Sequence, residues 1–384
     1  MARIVHIVLN AYVNDNRVKR AAECGRDLGC DVTVFALSAP GAPAEEWQAG
    51  VEIRRFALTS RSWSKSKPVQ VLKYVEAAWR MIRAGRALTP DVVHAHDVDG
   101  LVIGRVLAAV SGARLIYDAH ELWADSAHGA SMPRWLVNQL TGIERLCSRR
   151  AQQCIAVSES IAAHMAEHQG IPRPVVVRNV PDPWPAEAPP RLRAALGISP
   201  ETVVVLYQGA IGGEGVFTLA RAFRRVTGNA ILVILGDGPA VATLRESFSD
   251  LGARIAFHPL VPAAALPSYT RDADIGVHPM AAGYLNHLWA LPNKLFEYIQ
   301  GGLVLVVSDL PEMAGLVRAH DVGLTFPPGN EEALANRLQQ LIDDRGLREH
   351  HRRAARDAAT SLNWTVERHR LEAVYETLIP GPQR

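Results

Sequence analysis

Lys294 and Glu297 stand three residues apart in the run ALPNKLFEY, residues 290–298. Residues at that spacing are neighbours on a helix surface. Pro292, just ahead of them, suits a first helical turn, where its missing N–H is no loss. The free amides of such a turn and the helix dipole favour a phosphate. A lysine can meet phosphate oxygens, and a carboxylate can accept protons from two ribose hydroxyls. With Leu291 and Asn293 beside it, the pair reads as a binding point for a sugar nucleotide. An ordinary surface ion pair fits the spacing as well.

A second feature is YQGAIGGEG, Tyr207–Gly215, between a predicted strand and the helical stretch 216–227. Gly209, Gly212 and Gly213 would let backbone amides approach a diphosphate closely, with Ala210 and Glu214 in the same turn. The run is neither a P-loop nor GxGxxG, and a plain flexible turn also accounts for it. A third set lies at the carboxyl ends of first-half strands: Asn10, His94, His96 and His120. A histidine there can donate to a sugar hydroxyl or share a proton. His120 is taken as functional and His94 as a packed, satisfied histidine. Asn10, Tyr12, Asp15, Arg17 and His96 are candidate cleft or acceptor contacts. No ligand motif joins these groups, so no metal is expected.

The segment 61–86 is basic, with Arg61, Lys65, Lys67, Lys73, Arg80, Arg83 and Arg86 against Glu76. Val71, Val75, Ala78, Trp79 and Ile82 form an apolar stripe expected to pack this helix on its sheet. The sharper alternative is a surface attracted to anionic lipid or to a phosphorylated acceptor.

These residues need elements to position them. RIVHIVL, DVTVFAL, VVHAH, RLIYDAH, CIAV and VVVRN read as buried strands. Amphipathic stretches at 17–28, 69–88, 100–110 and 159–169 lie between most of them. Strand–helix alternation implies doubly wound parallel sheets. Prolines between 180 and 202 argue against a regular element there and suit a linker. Alternation resumes with VVVLYQG, AILVILG, RIAFHP, DIGVHP and LVLVVSD, without a sequence repeat between the halves. The expected α/β architecture has Rossmann-like domains at 1–180 and 202–361, a linker at 181–201 and a final helix in 362–384. Ligands of such sheets bind beyond the strands' carboxyl ends, so the cleft between the two domains is the expected site.

Composition agrees with 384 residues in two globular cores, and a net charge of +2 gives no push toward nucleic acid. Cys24, Cys30, Cys147 and Cys154 lack CxxC or ligand spacing and read as buried thiols in a reducing cytoplasm. The N-terminal apolar run is too short for a signal peptide, and none approaches a membrane span. A cytoplasmic protein is expected, at most peripheral to the inner face of a membrane.

Taken together, NDNRVKRAAECGRDLGCDVTVFAL, DVVHAHD, RLIYDAHELW, VVVRNVPD, GDGP, ALPNKLFEYIQGGLVLVVSDLPEM and NWTVERHRLEAVYETL resemble the family 4 glycosyltransferases, in order over nearly the whole chain. The resemblance implies a GT-B fold, two facing Rossmann-like domains with the last helix crossing back to the first. It implies retaining sugar transfer from a nucleotide donor, UDP or GDP, without a metal or other cofactor. Glu297 matches the second glutamate of the family's Glu-x7-Glu pattern, which holds the donor ribose, and His120 matches the histidine that contacts the donor sugar. Lys294 and the amides around Gly209–Gly215 are then expected at the diphosphate. Acceptors in the family are glycans, lipids or small natural products. Two departures stand out. Trp289 replaces the first glutamate, and Ala210 and Glu214 stand where the family sets an arginine and a lysine on the diphosphate. Each charge-assisted bond lost is worth about 1.5–3 kcal/mol. A carboxylate at about 4 Å would add repulsion of about 4 kcal/mol at an effective dielectric near 20. Either Glu214 turns away while Lys294, Arg17 or Arg178 supplies charge, or the chain is a GT-B binding protein with a degenerate donor site. A sugar-nucleotide epimerase is the remaining alternative.

Overall fold

The strands of the first half are β1 (Arg3–Ile7), β2 (Asp31–Leu37), β3 (Glu45–Gln48), β4 (Val51–Phe56), β5 (Val92–His96), β6 (Arg114–Ala119), β7 (Gln153–Ala156) and β8 (Val175–Val176). They are taken from a computed structural model that describes residues 1–13, 15–64, 66–185 and 189–379. The side chains at 61, 67, 68, 127 and 128 are not described, and Lys65 lies outside the described residues. The sheet order is β3-β4-β2-β1-β5-β6-β7-β8, parallel except for β3 against β4. That edge hairpin, absent from the sequence reading, turns at Ala49 and Gly50, with φ of 49° and 77°, the left-handed pair a tight hairpin demands.

The second half forms β9 (Val203–Ala210), β10 (Ala230–Asp237), β11 (Ile255–His258), β12 (Ile275–His278), β13 (Val304–Ser308) and β14 (Gly323–Phe326). Its parallel order, β11-β10-β9-β12-β13-β14, is the 3-2-1-4-5-6 winding of a dinucleotide-binding sheet. Both faces are buried. Val205, Tyr207 and Leu232 pack on one side and Val204, Leu206 and Val233 on the other, which is why these strands read as unbroken apolar runs.

The chain divides into a unit of Met1–Arg178 with Glu367–Arg384, and a unit of Asn179–Val366. The final helix, Trp364–Leu378, therefore lies mostly in the first unit, with Leu371, Val374, Tyr375 and Leu378 buried there. The expected linker is not free of regular structure. Leu192–Leu196 is a short helix closed by Gly197 at φ 65°. The helix falls in the proline-free stretch between Pro190 and Pro200, and Val180 and Leu192 are buried in the second unit's core; residues 186–188 lie outside the described ones.

The basic helix, Lys67–Leu88, corrects another expectation. Val71, Leu72, Val75 and Trp79 are each more than half exposed, whereas Ala77 and Met81 are buried. The inward face is the one with small residues. A Cβ on Gly85 would lie 2.5 Å from Leu107, so glycine permits close packing on the helix Asp97–Ser111. Among the described residues, no helix is long and apolar enough to cross a membrane. All four cysteines are buried and free.

Candidate active site

In the second unit the polar residues gather where β9 and β12 part the winding, the switch point at which such sheets bind ligands. Gly209 and Ala210 complete β9, paired with Gly236 and Asp237, so the turn proper is Ile211–Gly213, anchored by the buried Ile211. Gly209 has φ +104°, and a Cβ there would lie 2.7 Å from Cε of Lys294. Glycine lets the lysine lie across the strand end. Pro292 is the N-cap, with Asn293 opening the helix Asn293–Gly301; the expected first-turn proline is thus shifted by one position. Leu291 is buried and Asn293 exposed.

Lys294 Nζ sits 4.5 Å from the centroid of the Tyr207 ring and 3.3 Å from its hydroxyl. Burial pulls its pKa down to about 8, against the opposing pull of Glu297. Glu297 accepts a 2.6 Å hydrogen bond from Gln208 Nε2, while Gln208 Oε1 accepts from Thr270 at 2.7 Å. The buried glutamine thus orients the carboxylate. Glu214 opens the helix Glu214–Phe223, but its exposed carboxylate is paired with Arg221, which also holds Glu331. His278, at the end of β12, is buried with no hydrogen-bond partner on either nitrogen. Burial, then Lys294, lowers its pKa to about 3.

In the first unit the corresponding switch point lies between β1 and β5. Asp118, on the adjoining β6 in register with His96 of β5, is the centre of the polar cluster beside it. Arg17 grips this buried carboxylate from Nε at 3.0 Å and Nη2 at 2.5 Å, and donates from Nη1 to Val177 O at 2.9 Å. Arg17, a candidate cleft or acceptor contact by sequence, is a buried brace here. His120 is held by two carboxylates, Asp97 at 3.2 Å from Nδ1 and Asp118 at 3.4 Å from Nε2. Burial opposes its charge, but Asp97 and Asp118 win and raise its pKa to about 10. Asp97 also accepts from the His120 backbone N–H at 3.1 Å. Its φ of 57° is left-handed, a strain of about 1–2 kcal/mol for a residue with a Cβ that brings the carboxylate to the imidazole.

The remaining first-loop residues serve one another. Asn10 donates to Asp15 at 2.7 Å and accepts from the Tyr12 amide at 2.8 Å, and Asp15 caps the helix Asn16–Asp27 through Val18 N. Asn10 is exposed, whereas Tyr12 is buried at φ 52°. His96 has no exposed surface and meets His120 and His6. His94 meets Tyr375 through Nδ1, but its Nε2 has no hydrogen-bond partner, so it is only half satisfied. Arg178 belongs to the first unit and binds Glu367 at the start of the final helix.

Ligand atoms of His6, His94 and His96, of His96, Asp118 and His120, and of Asp321, His350 and His351 lie within 4.8 Å of one another in each group, close enough to share an ion. In the second group the guanidinium of Arg17 and the ring protons engage the same atoms through hydrogen bonds.

Asp97, Asp118, His6 and His278 escaped the sequence reading. The alternation in HAH and DAH, on strands paired in register at His96 and Asp118, was the available signal, since it puts polar groups on one buried face.

Two parallel-sheet units with chemistry at each switch point define the GT-B class. Sucrose-phosphate synthase from Thermosynechococcus elongatus superposes with a TM-score of 0.79 at 16% identity, over 98% of this chain and 99% of its own. Anabaena HepE in complex with UDP gives 0.75 at 15% identity, over 98% and 100%. Residues 15–181 match the Glycosyl transferase 4-like domain and residues 202–344 the Glycosyl transferases group 1 domain; the chain belongs to this glycosyltransferase family. It is 24% identical over 371 residues to the sulfoquinovosyl transferase of Arabidopsis thaliana, covering 92% of this chain and 69% of that one. A phosphatidyl-myo-inositol mannosyltransferase of Mycobacterium leprae is 30% identical over 147 residues, 38% of each chain.

Proposed function

We propose that this glycosyltransferase moves a sugar, with retention of configuration and without a metal ion, from a UDP- or GDP-sugar to an acceptor hydroxyl. The observation that carries the reading is the group at the second unit's switch point. Gln208 orients Glu297, and Lys294 lies across Gly209. Glu297 takes the ribose hydroxyls. Lys294, with the amides of the glycine turn, takes the diphosphate, and His120 takes a hydroxyl of the transferred sugar. The leaving diphosphate departs ahead of acceptor attack on the same face of the sugar, so stabilising its charge is the main catalytic task. The pairing of Glu214 with Arg221 removes much of the expected repulsion.

Two features support an acceptor with an apolar portion. A cavity of about 560 Å³ in the first unit is lined by Val71, Tyr74, Val98, Val102 and Leu140, with Asp97 at its wall. Beside it, Val71, Val75 and Trp79 are exposed next to Arg80 and Arg83, a surface suited to the inner face of an anionic membrane.

Calorimetric titration with UDP, GDP, ADP and dTDP, in EDTA, tests the reading. Micromolar binding of one nucleotide, lost in Glu297→Ala, is expected. No binding by the wild type would favour the degenerate binding protein instead, for which Ala210 and Glu214 speak. Donor consumption without an acceptor, yielding an epimeric sugar nucleotide, would point to the epimerase.

A further inference from the structure

His120 is the partly exposed end of a hydrogen-bonded chain that runs into the core of the first unit. Its Nε2 lies 3.2 Å from Nδ1 of His96. Nε2 of His96 lies 3.0 Å from Nδ1 of His6, and Nε2 of His6 lies 3.4 Å from the hydroxyl of Tyr375. That hydroxyl lies 2.8 Å from Nδ1 of His94 and 3.1 Å from the carbonyl of Ala21. His6, His94, His96 and Tyr375 have no exposed surface. Three strand-borne histidines, and His120 one residue past β6, are thus tied to a tyrosine of the final helix.

A neutral imidazole offers one donor and one acceptor nitrogen, so each proton placed in the chain dictates the next. Asp97 and Asp118 keep both nitrogens of His120 protonated. Its Nε2–H then meets a bare Nδ1 on His96. His96 donates from Nε2 to His6, and His6 donates from Nε2 to the tyrosine oxygen. The tyrosine proton then goes to the Ala21 carbonyl, which only accepts, or to Nδ1 of His94; in the second case the Nε2–H of His94 faces the Asp118 carboxylate at 3.7 Å. The charged groups facing the chain are Asp97, Asp118 and Arg17, with Asp15 acting on His96 at longer range. Cys24 and Cys30, which face Tyr375, are neutral thiols whose pKa burial raises.

We propose that Tyr375 is a positioning residue for His120, holding the orientation and the proton order of its imidazole through His6 and His96. The consequence for sugar transfer rests on the role given to His120 above; the chain itself does not. Tyr375→Phe keeps the packed ring and removes the acceptor oxygen. Long-range proton–nitrogen correlation spectra of the ¹⁵N-labelled protein near pH 7.5 need no substrate. The wild type should show His6 and His96 fixed with the proton on Nε2, and His120 doubly protonated. In Tyr375→Phe, His6 and His96 should pass to mixed or reversed tautomers, and the pKa of His120 should move by about half a pH unit or more. His6→Gln, which breaks the chain one link nearer, should affect His96 and His120 alike, and serves if the first variant does not fold.

Changes confined to His6 and His94, with His96 and His120 as in the wild type, would overturn the proposal. So would mixed tautomers at His96 in the wild type. Where the wild type turns over UDP-glucose or GDP-mannose, Tyr375→Phe should shift the pH at which kcat falls while leaving the nucleotide Kd within about twofold. A wild type that binds no nucleotide would sink the transferase reading and leave the spectroscopic result standing.

Discussion

Replacing Asp97 with asparagine removes the charge that keeps His120 protonated. Asparagine tolerates the left-handed backbone at φ 57°, but Asp97 holds the His120 amide through Oδ1 and its ring through Oδ2, so the single carbonyl keeps one of these contacts and the change removes a charge and one hydrogen bond. The rise of His120 from its ordinary 6.5 to about 10 represents about 5 kcal/mol of preference for the imidazolium. A single carboxylate at the observed 3.2 Å supplies up to about 5 kcal/mol at an effective dielectric near 20. Asp118 remains at 3.4 Å but shares its charge with Arg17. We therefore expect Asp97→Asn to lower the His120 pKa by about two pH units, a loss of about 3 kcal/mol. Because the folded value lies above the unfolded one, the stabilisation is complete below pH 6.5 and disappears as pH rises through about 10. The variant should be less stable than the wild type by about 2–3 kcal/mol near pH 6, and the two should converge above pH 10. Histidine ring titration by NMR, with urea melts at pH 6, 8 and 10.5, reads both quantities. A wild-type His120 that titrates near 6.5, or an Asp97→Asn value that stays above 9, would refute the reasoning.

The second unit yields three further predictions. Nucleoside diphosphate affinity should be flat below pH 7 and fall toward tenfold per pH unit above about 8, as Lys294 loses its proton; calorimetry from pH 6.5 to 9.5 checks it. Lys294→Met should raise stability near pH 7 by about 1–2 kcal/mol, because a cation is no longer desolvated, while nucleotide affinity falls by tenfold or more; the gain should vanish above pH 10.5, where the wild-type amine is neutral. Glu214→Lys breaks one exposed pair with Arg221 and should change stability by less than about 1 kcal/mol, with nucleotide affinity equal or higher. A sharp loss of affinity there would reveal a positive role for the glutamate.

Strand–helix alternation was legible because fully buried parallel strands are continuous apolar runs, and β1, β2, β5 and β13 fall within the runs read from sequence. Lys294 and Glu297 were legible because a helix start has a local signature. Asp118 was not. Its partner Arg17 lies 101 residues away, and pairing over that distance leaves no local pattern. His6 looked like an interruption in an apolar strand until its neighbours in the sheet were known. The helix Lys67–Leu88 failed differently. Hydrophobic periodicity locates an apolar stripe but not the side that is covered, and here Ala77 and Gly85 allow the closer packing.

The placement of the final helix in the first unit has a consequence for biosynthesis. Residues 179–366 form one continuous stretch, so the second unit can fold while the chain is still being made. The first unit cannot finish then, because Leu371, Val374, Tyr375 and Leu378 fill its interior and are translated only after the second unit. His6 and Tyr375 lie 369 residues apart, so their meeting is among the latest events in folding. A chain released before its final helix would keep an assembled second unit but leave His6 and His94 facing an open groove. The ordered His120 is thus available only once translation has passed the second unit and reached Leu378.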